Sequence, residues 1–379
     1  MLGGCHNRRF YAAEIAFLLA TCPGCEYFAV ASPVDEPNIS KIQEAAEKGQ
    51  AKSEIALGDA YLTGHGVNQD LRLAASWYEK AAGFGDPVAQ NQIGYFYQTG
   101  MGVLPDAVRA VHWYQLSASS GLTIAKVNLG IAYIWGLGAE RNPKMAEQLF
   151  IEAANKGNSL ALTYLGDMYF FGDGVPQDKA AGERWYERAV KMHNYLAAYR
   201  LGKILSEPRE HPRDIARALS LFRESAAAGF VLSMHSAGLL LVIHPEVCTS
   251  HEEALSLLNE AASAGMWKSS VVLGALARDG KWVPQDSRKA YFHFRVGVLQ
   301  GDEAVKAVVK NDLQALSVKF SPEELAKIDE EANAWAGKHN RPLEILYKDR
   351  RDGASIAAFA LAAPQSGDHA GPLIPVAPF

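Results

Sequence analysis

The chain has 379 residues, of which 49% are hydrophobic and 21% are charged, and its formal net charge is −5. This balance is typical of a folded protein and argues against an intrinsically disordered chain. The mild acidity argues against nucleic-acid binding, which usually needs a basic patch or stripe. Three of the four cysteines lie within the first 25 residues, so the rest of the chain cannot form an internal disulfide framework.

The first 31 residues resemble an export signal. Arg8 and Arg9 precede a short apolar stretch, and Ala-Val-Ala at 29–31 is a small-residue cleavage pattern. We therefore expect a signal peptide over residues 1–31, a linker over residues 32–40, and a periplasmic or secreted protein. The apolar stretch is too short and too interrupted for a membrane-spanning helix, so no transmembrane segment is expected.

Two other interpretations of this segment stay open. Cys22 could carry a lipid, although Thr21 and Pro23 fit a lipoprotein signal poorly. Alternatively the protein is cytoplasmic, an interpretation that Glu14 inside the apolar stretch favours. Cys22 and Cys25 form a C-x-x-C pair, but the pair lacks the strand and helix context of a redox motif. We expect no function for it.

Beyond residue 41, glycine recurs inside apolar segments at a fixed step of 36 residues. A period of this size marks a solenoid, in which each repeat buries its apolar faces against its neighbours. The sequence therefore predicts an all-α superhelical solenoid of about seven helix-turn-helix repeats over residues 41–318. The central glycines are Gly58, Gly94, Gly130, Gly166, Gly202, Gly238 and Gly274.

Other residue types keep the same spacing, and each has a mechanical reason. The first of two paired glycines can end a helix in the left-handed conformation, and an aspartate can cap the next helix. The central glycine costs about 1 kcal/mol relative to alanine inside a helix, so its recurrence indicates close approach between helices. Each repeat is thus an A helix, which holds the central glycine, followed by an antiparallel B helix. In the first repeat these residues are Tyr61, Gly64, Gly66, Asp70 and the pair Trp77-Tyr78.

The pattern L-G-x-x-Y-x-x-G-x-G-V-x-x-D…A-x-x-W-Y-x-x-A-A-x-x-G resembles the Sel-1-like repeat, a branch of the tetratricopeptide-repeat superfamily. It is almost complete over residues 165–186, and the resemblance covers about residues 42–301. The fifth and sixth repeats lack the paired glycines, so their loops are expected to be built differently. The departures are His193 for a closing glycine, and Pro208, Glu210, His244 and Glu246 for the paired glycines.

Both ends of the repeat array carry signs of capping. Residues 42–49 match the end of a B helix, which predicts a half-repeat at the front. At the back, Ser321 and Glu324 form a capping box, and a capping helix region is expected over residues 319–350. The remaining tail, 351–379, is rich in Pro, Gly and small residues and is expected to be disordered. One face of the capping helix carries Leu325, Ile328, Ala332 and Trp335.

No motif in the sequence indicates catalysis. The paired glycines follow a helix rather than a strand, and no Gly-Lys-Ser/Thr is present, so a phosphate loop is excluded. We expect no catalytic residue, no cofactor and no metal. One alternative stays open: His244, Cys248 and His251 are zinc-ligand types near one another, although their spacing matches no familiar zinc finger.

The resemblance implies that A helices line a concave groove, with positions two before and one after the central glycine projecting into it. Trp135 and Phe171, five residues after their glycines, are either groove aromatics or core filler. Polar groups at these positions are expected to be accessible, because they should not be core. The candidate binding residues are Gln92, Tyr95, Asn128, Trp135, Tyr164, Asp167, Arg200 and Lys203.

These observations together predict a non-catalytic protein-protein interaction scaffold. It would hold a protein or peptide partner in a groove that is aromatic in the middle and basic at one end. Nucleic acid is not expected as a partner. Two alternatives remain: a carbohydrate- or peptidoglycan-binding or hydrolytic protein of the cell envelope, and a purely structural spacer.

Overall fold

The computed structural model describes five stretches of the chain, which are residues 39–207, 214–301, 303–339, 344–348 and 355–359. The predicted signal peptide, nearly all of the linker and most of the predicted tail lie outside the described residues. Contacts divide the described residues into two compact units, one ending at Asn194 and one beginning at Tyr195. The sequence does not predict this division, which coincides with the end of the fourth repeat.

The first unit is built of antiparallel helix pairs in chain order. The even-numbered helices α2 to α8 hold the central glycines and are the A helices, whereas the odd-numbered helices α3 to α9 are the B helices. The helix α1 packs on α2 and supplies the predicted half-repeat. The helices are α1 (Ile39–Glu47), α2 (Ala51–Thr63), α3 (Leu71–Gly83), α4 (Pro87–Thr99), α5 (Ala107–Ser119), α6 (Thr123–Trp135), α7 (Pro143–Asn155), α8 (Ser159–Phe171) and α9 (Lys179–Val190).

The second unit continues the alternation and ends with two further helices and a strand pair. Strands β1 and β2 are antiparallel, with Glu344 opposite Phe359, and the sequence does not predict them. β2 falls inside the tail for which disorder is expected. The elements are α10 (Tyr195–Ser206), α11 (Ile215–Ala227), α12 (Val231–Ile243), α13 (His251–Ser263), α14 (Trp267–Asp279), α15 (Ser287–Gln300), α16 (Glu303–Ser317), α17 (Pro322–His339), β1 (Glu344–Lys348) and β2 (Ser355–Phe359).

Helix boundaries follow the capping chemistry that the sequence predicts. Each aspartate twelve residues after a central glycine accepts hydrogen bonds from backbone N–H groups in the first turn of the next B helix. The paired glycines that follow the A helices of the first unit all have left-handed φ, between +65° and +79°. The capping aspartates are Asp70, Asp106, Asp178, Asp214 and Asp286.

The central glycine is explained by the side chain twenty residues further on, which lies on the B helix of the same repeat. A Cβ added at any of the seven glycines would come within 2.5–3.0 Å of this side chain. The predicted close approach between helices is therefore confirmed, and its cause is a ring or leucine packed onto the A-helix backbone. These side chains are Tyr78, Tyr114, Phe150, Tyr186, Phe222, Leu258 and Phe294.

Tyrosine hydroxyls add polar bonds to this packing. Tyr78 donates to Asp59 Oδ1 at 2.5 Å, and Tyr186 donates to Asp167 Oδ1 at 2.6 Å, so the A and B helices of one repeat are joined. A second tyrosine column connects successive repeats. Tyr97 of α4, for example, donates to Glu79 of α3 at 2.9 Å. Buried rings with bonded hydroxyls fix the alignment of the stacked helices.

The divergent repeats show how glycine positions are filled by other residues. His193 has φ of +56°, so it keeps the left-handed conformation of the closing glycine that it replaces. In the sixth repeat a short 3₁₀ turn, Pro245–Val247, follows α12, which confirms that this loop is built differently. In the last repeat Trp282 occupies the second glycine position with φ of +66°, and its ring stacks on His251 at 4.2 Å.

The capping box before α17 is confirmed. Ser321 N donates to Glu324 Oε2 at 2.8 Å, and Glu324 N donates to Ser321 Oγ at 3.2 Å. Ile328 and Ala332 are buried on the inward face of the helix, as the apolar spacing predicts. In the part of the chain that the structure describes, no helix combines the length and apolar character needed to cross a bilayer.

Candidate functional site

The candidate binding residues of the first unit lie on a common stripe of its A helices. The stripe carries the positions two before, one after and five after each central glycine, which are three or four residues apart and therefore share one helix face. We call this stripe on α2, α4, α6 and α8 the A-helix surface. It is formed by equivalent positions of four successive repeats.

Two large aromatic side chains are exposed on the A-helix surface. Trp135 ends α6 and is 36% exposed, and Phe171 ends α8 and is 58% exposed. The Phe171 ring meets the buried Phe170 ring edge-on, with centroids 5.1 Å apart, so its base is anchored while its face remains accessible. Of the two sequence interpretations, groove aromatic and core filler, the exposure of both side chains favours the first.

Two of the predicted binding residues lie in the core instead. Asn128 is 2% exposed, and its Nδ2 donates to Asn91 Oδ1 at 2.8 Å. Tyr164 is 5% exposed and stacks on Phe150 with centroids 5.2 Å apart. The expectation that a polar group at this position stays out of the core is wrong for Asn128, because a second asparagine on α4 supplies a partner inside the protein. Both residues therefore belong to the packed interior of the unit rather than to its accessible surface.

Gln92, Tyr95 and Asp167 are partly buried, and their polar groups contribute to the internal bonding. Asp167 accepts the Tyr186 hydroxyl, and Gln92 interacts with the Tyr78 hydroxyl. Burial raises the pKa of Tyr95, so this phenol stays neutral throughout the physiological range.

Arg200 and Lys203 belong to the second unit, on α10. Lys203 Nζ lies 3.7 Å from the Glu207 carboxylate, so the positive charge at the predicted basic end is partly balanced. Lys203 and Lys268 also act on His235, which is buried in α12 and shares a 2.9 Å hydrogen bond with Ser269 Oγ. Burial, with smaller effects from the two lysines, lowers the pKa of His235 to about 3.

The cluster considered as a zinc site does not converge. His244 pairs with Glu246 at 2.7 Å, whereas the His251 ring is stacked on Trp282. Cys248 is a half-buried free thiol between them in sequence. Over the described residues, no group of three or more His, Cys, Asp or Glu side chains is placed to hold a metal ion. The structure gives no support to the zinc alternative.

Comparison with known families matches most of the repeats. The model described as Sel1 repeat matches more than half of the chain, but residues 231–271, which hold the irregular sixth repeat, are not matched. A search of curated proteins gave no match. The matched segments are residues 51–83, 87–122, 123–158, 159–194, 196–230 and 272–302.

The chain is also similar to solved structures, and the first of them has the same type of fold. A Sel1 repeat protein from Oxalobacter formigenes is 25% identical, with a TM-score of 0.53 over 60% of this chain and 100% of that chain. A protective antigen of uropathogenic Escherichia coli with an SLR fold is 23% identical, with a TM-score of 0.43 over 80% and 72%. The immunity protein Pa5087 from Pseudomonas aeruginosa is 19% identical, with a TM-score of 0.36 over 68% and 82%.

Proposed function

Because this chain belongs to the Sel1 repeat family, whose members are commonly protein-interaction scaffolds, we propose that it is a non-catalytic scaffold. Its partner is a protein or peptide segment that binds on the A-helix surface of the first unit. The observation that supports this most directly is the exposure of Trp135 and Phe171 at the same position of successive repeats. Aromatic side chains are enriched in the cores of protein interfaces, and tryptophan is enriched among their hot spots.

The energetics are adequate for recognition. Covering the exposed parts of the two rings removes roughly 200 Å² of apolar surface from water, which corresponds to about 5 kcal/mol before the costs of association. The loops that follow α6 and α8 are joined by an ion pair between Arg141 and Asp173, and Arg141 is half exposed. An apolar centre with a charged border is the usual arrangement of a protein-binding patch.

The test uses the double variant Trp135→Ala/Phe171→Ala. We expect it to lose partner binding at least tenfold with only a modest fall in melting temperature, because Phe171 is more than half exposed and Trp135 is partly exposed at the end of its helix. Affinity capture from the source organism with quantitative mass spectrometry identifies the partner, and titration of the purified partner gives the Kd.

Leu104→Ala is the matched control, because Leu104 is an 86% exposed apolar side chain of the same unit that lies outside the A-helix surface. Proteins captured equally by the wild type, the control and the double variant would be non-specific. If every captured protein behaves in this way, the A-helix surface is not the binding surface.

A further inference from the structure

A cavity of about 500 Å³ lies at the start of the first unit, away from the A-helix surface. It lies where the end of α1, the beginning of α2 and the second half of α3 meet. Its walls combine aromatic rings, carboxylates and one ammonium group. The side chains that matter here are Glu47, Glu54, Trp77, Glu79, Lys80 and Phe84.

Glu54 is the unusual member of this cavity. It is 2% exposed, and among the described residues no hydrogen-bond donor reaches its Oε2 atom. A buried carboxylate oxygen without a donor is costly and requires an explanation. Burial raises the pKa of Glu54, although the positive charge of Lys80 opposes this shift.

The next repeat holds an amide side chain at this position. Gln90, 36 residues after Glu54, is also buried, and its Nε2 donates to the Ala82 carbonyl at 3.3 Å. The equivalent carbonyl in front of Glu54 is that of Ala46, but a carboxylate cannot donate to it. Glu54 therefore lacks the internal hydrogen bond that Gln90 makes, and it places an acceptor at the cavity wall.

The charges and rings of the cavity fit a cation. Three carboxylates face one ammonium, and one of the three, Glu79, is already paired with Arg109 at 2.8 Å. Lys80 Nζ lies 3.7 Å from the centroid of the Trp77 ring, which shows that an ammonium group can occupy this face. Phe84 is 70% exposed at the rim and offers a second apolar wall.

We propose that this cavity, the Glu54 pocket, binds a primary alkylammonium group. The ligand's ammonium pairs with Glu54, and its alkyl chain lies between Trp77 and Phe84. Lys80 acts as an internal competitor, since its exposed side chain occupies the Trp77 face and repels a second cation. This site is separate from the A-helix surface, and the two proposals stand or fall independently.

The test is a titration of the full chain followed by NMR at the Trp77 indole resonance, which Trp77→Phe identifies. One arm uses n-butylammonium and the other uses Nα-acetyl-lysine amide, so that free amines and lysine side chains of a peptide are distinguished. Glu54→Gln should weaken binding at least tenfold. Lys80→Met should strengthen it several-fold, because it removes the like charge from the Trp77 face.

The same variant also serves as the control for correct folding, because glutamine is the residue that this position holds in the next repeat. Glu54→Gln should melt at the same or a higher temperature, since its amide can donate to the Ala46 carbonyl. Binding in either arm that is lost in Glu54→Gln and enhanced in Lys80→Met supports the proposal. Equal binding by the wild type and Glu54→Gln, or no binding by the wild type at millimolar ligand in both arms, overturns it.

Discussion

Replacing Gly138 by alanine is expected to lower the free energy of unfolding of the first unit by about 3–5 kcal/mol. Gly138 lies in the loop after α6 with φ of +70°, and an added Cβ would overlap the carbonyl group of Ala107 at the start of α5. Because the overlapping atoms of Ala107 belong to the main chain, no change of side-chain rotamer can relieve the overlap. The loop and the neighbouring repeat would have to separate.

The natural control is Gly136→Ala two residues earlier. Gly136 also has a left-handed φ, of +65°, but its added Cβ would meet nothing closer than 3.5 Å. This variant should therefore lose only the conformational part, about 1–2 kcal/mol. Urea unfolding followed by circular dichroism gives the free energy of unfolding of both variants, and hydrogen exchange at the amides of α5 and α6 locates the loss. Equal losses would show that backbone contact between repeats contributes nothing.

Acidification from pH 7 to pH 4 is expected to destabilise the second unit, with His235 alone contributing on the order of 3 kcal/mol. The folded-state pKa of His235 is lowered to about 3 by burial and, to a smaller degree, by Lys268 and Lys203. In the unfolded chain His235 therefore binds a proton near pH 6.5, whereas in the folded chain it binds one only near pH 3. The stability is fully present above pH 6.5 and is lost as the pH falls toward 3.

His235→Gln isolates this contribution. Glutamine can keep a hydrogen bond to Ser269 Oγ but does not titrate, so the variant should lose less stability between pH 7 and pH 4 than the wild type does. His293, whose pKa burial lowers to about 4, contributes equally to both proteins and cancels in the comparison. Urea unfolding at the two pH values gives the difference. Parallel stability profiles would show that His235 is not the acid-sensitive group.

The fold could be predicted because its main determinants are backbone requirements that recur every 36 residues. A central glycine such as Gly166 must leave room for a packed aromatic ring, and Asp178 must cap a helix. The same residue type therefore recurs at the equivalent position of most repeats. Repetition makes such a signal readable in a single sequence. The strand pair β1–β2 has no such repetition and was not predicted.

The binding surface was harder to predict, because helix phase gives the direction of a side chain but not whether a neighbouring helix covers it. Asn128 and Trp135 lie on one stripe of α6, yet Asn128 is buried against Asn91 while Trp135 stays exposed. Only the packing distinguishes them. Glu54 does not stand out in the sequence, because the equivalent positions of the next repeats hold Gln90, Lys126 and Leu162, and only the burial of its carboxylate distinguishes it.

The contact of Gly138 with Ala107 also sets the lengths by which such a chain can change. Gly102 makes the same contact with the carbonyl group of Leu71, the residue that begins α3. Excising residues 87–122 would bring Gly138 against Leu71, at a contact that already requires glycine. Excisions of other lengths would bring a different residue into that contact. Whole repeats can therefore be gained or lost during evolution without redesign of the junction, whereas partial ones cannot.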